Sequence, residues 1–302
     1  YAQLVPLWPL PSPDTTADNA FGAAVALGAQ YAVVGAGGAR SCGPASGAAY
    51  VYRRLPDGSW TLEATLQPND CAPGRFFGRA VALDGERVLV AAAGEPYRTE
   101  HTDAAYVFVR QSDGSWRQTA RLTAPPEAQT GAFGAAVALE GERAVVSTWG
   151  DPGRRLAGAA YVFEHINSSN WQLVATLTAT APPEGPWPGG AVALSDGIIA
   201  LAAPSYRYDR SSAVQIFSRQ VNGNWRHEAT LGGIRDFNPA LALQGQDLLV
   251  GERLGGRHSG GRIRHYQRRG EGHWVLVETL DPPQPYPSGG FGATLAFDGF
   301  WL

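Results

Sequence analysis

The chain has 302 residues, a net charge of −3 and 17% charged residues, and its 38 Gly and 22 Pro punctuate a composition that is 44% hydrophobic. So slight a charge gives no field to recruit nucleic acid or an anionic membrane, and no apolar run reaches the ~18 residues a spanning helix needs. Neither a nucleic-acid partner nor direct membrane insertion is expected, and the balance of Gly, Pro and apolar residues describes many short buried strands joined by turns.

The chain contains no Met and starts at Tyr1, so it reads as one that has lost a signal peptide or as a fragment. Leu4 to Leu10 resembles an isolated outer strand. Phe21 to Leu27 then opens a pattern of four landmarks. The second is an apolar run ending at Val34 and followed by Gly35-Ala36. The third is Ala49-Tyr50-Val51-Tyr52, and the fourth runs from Trp60 to Leu66.

All four return. Val25, Val81, Val137, Val192, Leu241 and Leu295 are equivalent positions, a period of roughly 55 residues, with repeats beginning near 21, 77, 133, 188, 237 and 291. The fourth landmark opens at Trp60, Trp116, Trp171, Trp225 and Trp274. Each landmark is β-branched, aromatic or alternating and is bounded by Gly, Pro, Asn or Asp, which predicts a strand. Asp57-Gly58, Asp113-Gly114 and Asn222-Gly223 separate the third and fourth landmarks; such pairs tolerate positive φ at both central positions and predict tight hairpins. Each repeat is therefore a four-stranded antiparallel meander.

Side-chain bulk grows along each repeat, from Ala and Gly in the first strand to Tyr, Phe and Trp in the last two. Sheets radiating from an axis are crowded inside and spread outside, which predicts this gradient and a β-propeller. The final strand alternates, with Trp60, Leu62, Ala64 and Leu66 on one face and Thr61, Glu63 and Thr65 on the other. The expected architecture is all-β: a single propeller domain over 1–302, with five complete blades and one split between the termini. Residues 1–20 would supply the outer strand of that closing blade and a linker, Phe291 to Leu302 a first strand and the start of a second, and further C-terminal sequence would complete six or seven blades.

The Phe-Gly openings and the stretches Gly35-Ala36-Gly37 and Ala202-Ala203-Pro204 are similar to those of the FG-GAP repeat family, over essentially the whole chain. The resemblance is to secreted bacterial members and, more distantly, to integrin α-subunit heads, which bind protein ligands; a fungal branch binds sugars. It implies a secreted or surface-displayed chain. Calcium, held by many members between the first and second strands, is not carried over: Gly28-Ala29-Gln30, Asp84-Gly85-Glu86, Glu140-Gly141-Glu142, Ser195-Asp196-Gly197 and Gln244-Gly245-Gln246 lack the oxygen ligands. No metal and no cofactor are expected. In an up-down meander Cys42 and Cys71 occupy loops on the same face, and the oxidising compartment implied by the family leads to the expectation of a disulfide.

No His-Glu-x-x-His, Gly-x-Ser-x-Gly or Cys-x-x-Cys pattern occurs, so no catalytic residue is named and the chain is expected not to be an enzyme. Asn167-Ser168-Ser169 matches the glycosylation sequon and equally serves as a turn. Arg262, Arg264, Arg268 and Arg269 read as a solvated outer strand. The repeat stops repeating in the second-to-third and inter-blade loops, which carry Tyr97, Arg98, His101, Trp149, Arg154, Trp187, Tyr206, Arg207, Tyr208 and Arg257. Aromatic and Arg side chains on a rigid scaffold are what binding hot spots use. The expected function is recognition of a protein partner on a cell surface or in an extracellular assembly. Glycan binding is the alternative, and a hydrolase has no motif behind it.

Overall fold

The structure is a computed structural model. It describes residues 10–14, 18–94, 103–126, 132–149, 158–167, 170–178, 190–203, 212–236, 238–256, 260–284 and 289–297. Two compact units are present. Tyr1–Gly94 with Thr102–Thr123 form the first, and Glu95–His101 with Ala124–Leu302 the second. The described residues fold into five four-stranded antiparallel sheets with no helix, the blades of a β-propeller fold.

In the first unit, blade 1 contains β1 (Phe21–Leu27), β2 (Tyr31–Ala36), β3 (Ala48–Arg54) and β4 (Trp60–Leu66). Blade 2 contains β5 (Phe77–Asp84), β6 (Arg87–Ala92), β7 (Ala104–Arg110) and β8 (Trp116–Leu122). In the second unit, blade 3 contains β9 (Val137–Glu140), β10 (Arg143–Thr148), β11 (Ala159–Asn167) and β12 (Asn170–Thr178). Blade 4 contains β13 (Val192–Ser195), β14 (Ile198–Ala203), β15 (Ser212–Arg219) and β16 (Trp225–Ile234), and blade 5 contains β17 (Ala240–Gln244), β18 (Asp247–Glu252), β19 (Arg262–Gly270) and β20 (His273–Leu280). Strand order within every sheet follows chain order, as a meander requires.

The second strands are buried along most of their length, and their apolar side chains pack on both faces of the sheet. Tyr31 and Val33 of β2 point toward blade 2 and pack with Val88, Val90 and Phe108. Ala32 and Val34 point the other way, into a cluster with Tyr50, Tyr52, Leu10 and Phe21. In the second unit the same interleaving joins Val145 and Val162 to Ile199 and Leu201, and Ile198 and Ile216 to Leu248 and Val250. First strands of successive blades touch, β1 with β5 and then β9 with β13 and β13 with β17, as at the hub of a propeller.

The Phe-Gly motif has a defined job. Phe77 lies between two residues of positive φ, Phe76 at 51° and Gly78 at 92°, and the kink turns its ring inward onto Tyr106 and Phe108, with centroids 5.7 and 5.9 Å away. Phe21 meets Tyr50 and Tyr52 in the same way, and Phe133 meets Tyr161 and Phe163. Gly78 then lies against Gly35 of the preceding blade so closely that a Cβ on Gly35 would sit 1.9 Å from the Gly78 carbonyl oxygen. Gly251 and Gly292 repeat this contact at 2.0 Å. Two backbones approach there without side chains between them, which only glycine allows.

Three expectations are corrected in detail. In the Asp-Gly hairpins only the glycine has positive φ, 86° at Gly58 and 84° at Gly114, while Asp57 and Asp113 stay at negative φ and accept from Ser59 and Ser115. These are turns with one left-handed glycine rather than two left-handed positions. The fourth strand of blade 1 does not alternate cleanly, because a β-bulge lies opposite the middle of β3, a bulge that every blade repeats. In blade 1 the bulge exposes Leu62 at 42% and turns Glu63 inward. At the C-terminal end, Phe291 makes an isolated bridge to Gly261 and residues 292–297 form no strand. A strand needs a hydrogen-bonded neighbour, and the rest of the segment, like residues 1–9, lies outside the described residues.

Candidate functional site

Loops joining second to third strands emerge at the same strand ends as the connections between blades. In blade 1 these two segments are stitched together. Gly74 N–H donates to the Pro44 carbonyl at 2.9 Å, Phe76 to Ala45 at 2.9 Å and Phe77 to Ser46 at 3.1 Å, so residues 44–47 run beside 74–77. The Cys42–Cys71 disulfide closes the outer end of this ladder, with its Cα atoms 6.1 Å apart. Arg40, Ser41, Pro44, Pro73 and Arg79 are exposed on the platform it makes. A bond of this kind persists in an oxidising compartment, extracellular or periplasmic. Blade 5 has the same stitch without a disulfide, Phe291 N–H donating to the Gly260 carbonyl.

The loop-bearing ends of blades 4 and 5 hold buried charge. Glu252, at the end of β18, is fully buried. Its Oε2 accepts from Arg262 Nε at 3.2 Å, from Arg262 Nη2 at 3.0 Å and from the Arg235 backbone N–H at 2.9 Å. Arg264 Nε lies 2.6 Å from Oε1, close as an ion pair though out of line for a hydrogen bond. Beside it Asp236, whose carboxylate is 1% exposed, lies 3.4 Å from Arg253 Nε.

At the opposite strand ends the blades are locked to one another. The bulged residue three positions after the fourth-strand Trp is Glu63 in blade 1 and Glu228 in blade 4. Glu63 accepts from Arg110 Nε at 2.8 Å and Trp116 Nε1 at 3.0 Å of blade 2. Glu228 accepts from Arg268 Nε at 2.7 Å and Trp274 Nε1 at 3.0 Å of blade 5. Burial pushes both carboxyls up, but the hydrogen bonds from these Arg and Trp side chains outweigh it and leave both below the ordinary carboxylate value. Between blades 3 and 4 the bulged position is Val174. Glu164 on β11 takes over Arg219, at 3.1 Å, and the buried Trp225 Nε1 has no acceptor among the described residues. An open cavity of about 830 Å³ lies over the first lock, lined by Tyr31, Arg53, Glu63, Glu86, Arg110 and Asp113. Most of its charges are paired, Arg53 with Glu63, Arg110 with Glu63 and Glu86, and Asp113 with Arg117, while Arg54 also lines it and is exposed.

Of the residues selected from sequence, Tyr97, Arg98, His101, Arg154, Trp187, Tyr206, Arg207, Tyr208 and Arg257 lie outside the described residues. Trp149 is described and half-buried, just beyond β10. The Asn167 backbone ends β11 at the hairpin, the remainder of the sequon lying outside the described residues. The basic run on β19 is not simply solvated. Arg262 and Arg264 bind buried Glu252 and Arg268 binds buried Glu228, leaving Arg269 exposed, because a third strand is interior to its blade and its cations meet carboxylates of the neighbouring elements. Sequence reading missed Glu252, Asp236 and both interblade carboxylates.

Residues 10–52, 60–108 and 116–163 match the model of the FG-GAP repeat. The chain carries FG-GAP repeats. No curated protein matches it. Among solved structures it is similar to the periplasmic gluconolactonase of Pseudomonas aeruginosa, at 15% identity over 90% of this chain and 86% of that one, with a TM-score of 0.49. That protein is named as an enzyme, so the expectation of a chain without catalytic activity is withdrawn. A propeller hosts binding and catalytic sites alike, and architecture does not decide between them.

Proposed function

We propose that this FG-GAP repeat chain is an extracellular binding module that takes a protein partner on its loop-bearing strand ends. The observation that carries the reading is the blade 1 platform, where three backbone hydrogen bonds and a disulfide hold two loops in one conformation. A loop fixed before binding loses little entropy on binding, and this is how rigid scaffolds convert exposed side chains into affinity. The secreted or surface location belongs to the same reading, supported by the disulfide.

The test is site-directed photo-crosslinking on intact cells or secreted fractions of the source organism. A benzophenone amino acid at Ser41 or Pro73 is expected to give a discrete protein adduct, and one at Pro56, at the hairpin end, is not. Adducts from Pro56 alone, no adduct from either loop position, or capture of a glycan by the loop end on a glycan array would each overturn the reading.

A further inference from the structure

Blade 5 departs from its own repeat at one cross-strand pair. The last residue of the second strand faces a residue at the start of the third strand, and the pair is Ala36 with Ala48, Ala92 with Ala104, Thr148 with Ala159 and Ala203 with Ala213 in the first four blades. In blade 5 it is Glu252 with Arg262. Small residues suffice to close this strand end four times, so the fold does not require the ion pair, and burying it costs desolvation that an Ala pair avoids. What the pair does is organise its surroundings. Glu252 draws in Arg264 and the Arg235 N–H, which brings the segment after β16 against β18 and sets Asp236 beside Arg253.

The result is a charge concentration at the loop-bearing end of blades 4 and 5. Among the described residues, the guanidiniums of Arg253, Arg262 and Arg264 meet the buried carboxylates of Asp236 and Glu252, the exposed Arg235 joins them through its backbone N–H on Glu252, and the exposed Asp281 beside Gly256 adds one further carboxylate, so four arginines stand against three acids in a chain whose net charge is −3. Asp236 and Glu252 are buried, while Arg235 and Arg253 are exposed, the latter at 49% of its side chain. The excess positive charge therefore faces outward through two guanidiniums, each able to take a carboxylate bidentately. Resting on the reading of a loop-end protein partner, we propose that this patch receives an acidic peptide segment of that partner, with Arg235 and Arg253 as the contacting residues and the Glu252–Arg262 pair as their support.

The test uses the whole chain and a fluorescein-labelled deca-glutamate peptide, read by anisotropy. Binding is expected to weaken as salt rises from about 0.05 to about 0.5 M, through screening. Arg235→Glu with Arg253→Glu is expected to weaken it at least about tenfold, since two attractive pairs become repulsive. Arg269→Glu changes charge at the other end of β19 and is expected to leave binding as it was. No peptide binding by the unmodified chain, equal binding by the double reversal, or an equal loss with Arg269→Glu would overturn the proposal, and preference for polygalacturonate through the same two residues would overturn its peptide assignment. Failure here is separable from failure of the wider reading: the Ser41 adduct would persist in the double-reversal variant if only this patch were misassigned.

Discussion

Replacing Glu228 by Gln isolates the interblade lock with almost no change of shape. The Glu228 side chain is fully buried and holds Arg268 through both carboxylate oxygens, at 2.7 and 2.8 Å, as well as the Trp274 indole N–H at 3.0 Å. A glutamine keeps one acceptor, turns an amide N–H toward a guanidinium N–H and leaves a cation that is 23% exposed without an anion. A lost neutral hydrogen bond costs about 1 kcal/mol and breaking a buried ion pair about 3–5 kcal/mol, so a partly solvated Arg268 places Glu228→Gln near 3 kcal/mol. The sign of its pH dependence follows from the depressed carboxyl. Because the folded value lies below the unfolded one, the lock's full contribution is present above the unfolded value and is lost as pH falls through the folded value. Urea denaturation followed by far-UV circular dichroism should therefore show the variant about 3 kcal/mol less stable at pH 7, the gap narrowing as pH falls below the unfolded carboxyl's value of about 4.3 and closing only once the folded carboxyl, which is held lower, is protonated too. A variant as stable as the parent at pH 7, or a gap unchanged at acid pH, would refute the reasoning.

Val174→Gln supplies the acceptor that Trp225 Nε1 lacks while its amide can face Glu164, and should raise stability by about 1 kcal/mol in the same denaturation assay. Gly251→Ala should destabilise by about 3 kcal/mol or more, because the new Cβ would stand 2.0 Å from the Gly292 carbonyl oxygen, whereas Ala202→Gly at the matching position of blade 4 should cost about 1 kcal/mol or less. Replacing Cys42 and Cys71 by Ser opens a loop with a sequence separation of 29 and should lower stability by about 3.5 kcal/mol, with faster amide exchange confined to residues 40–47 and 71–77.

The fold was legible because repetition turns weak local signals into strong ones. A single Ala-Tyr-Val-Phe is ambiguous, but the same run at fixed distances before an Asp-Gly turn and a Trp strand is a meander, and the gradient of bulk supplied the radial packing. The bulge was not legible. Trp60, Leu62, Ala64 and Leu66 alternate as an unbroken ladder would, and the extra residue belongs to the pairing of β3 with β4, not to β4 alone. Reading parity through a bulge put Glu63 on the wrong face. A usable signal was nonetheless present, since an acidic residue three after one Trp recurs with an Arg six before the next in blades 1 and 2 and again in blades 4 and 5.

The candidate site divides along the same line. Aromatic and Arg residues in the variable loops could be selected by composition, but composition says nothing of where a loop leads, and only Trp149 of that set falls among the described residues. The charged cluster of blade 5 could have been found by aligning the chain with itself. Where four repeats place small residues at the ends of their second and third strands, the fifth places Glu252 and Arg262, and two positions further along the third strand Arg264 replaces Tyr50, Tyr106 and Tyr161. In a repeat protein each blade is a control for the others. A costly residue that only one blade carries is there for something other than holding a blade together, and on that ground the two exposed arginines beside Glu252 are assigned to a partner instead of to the fold.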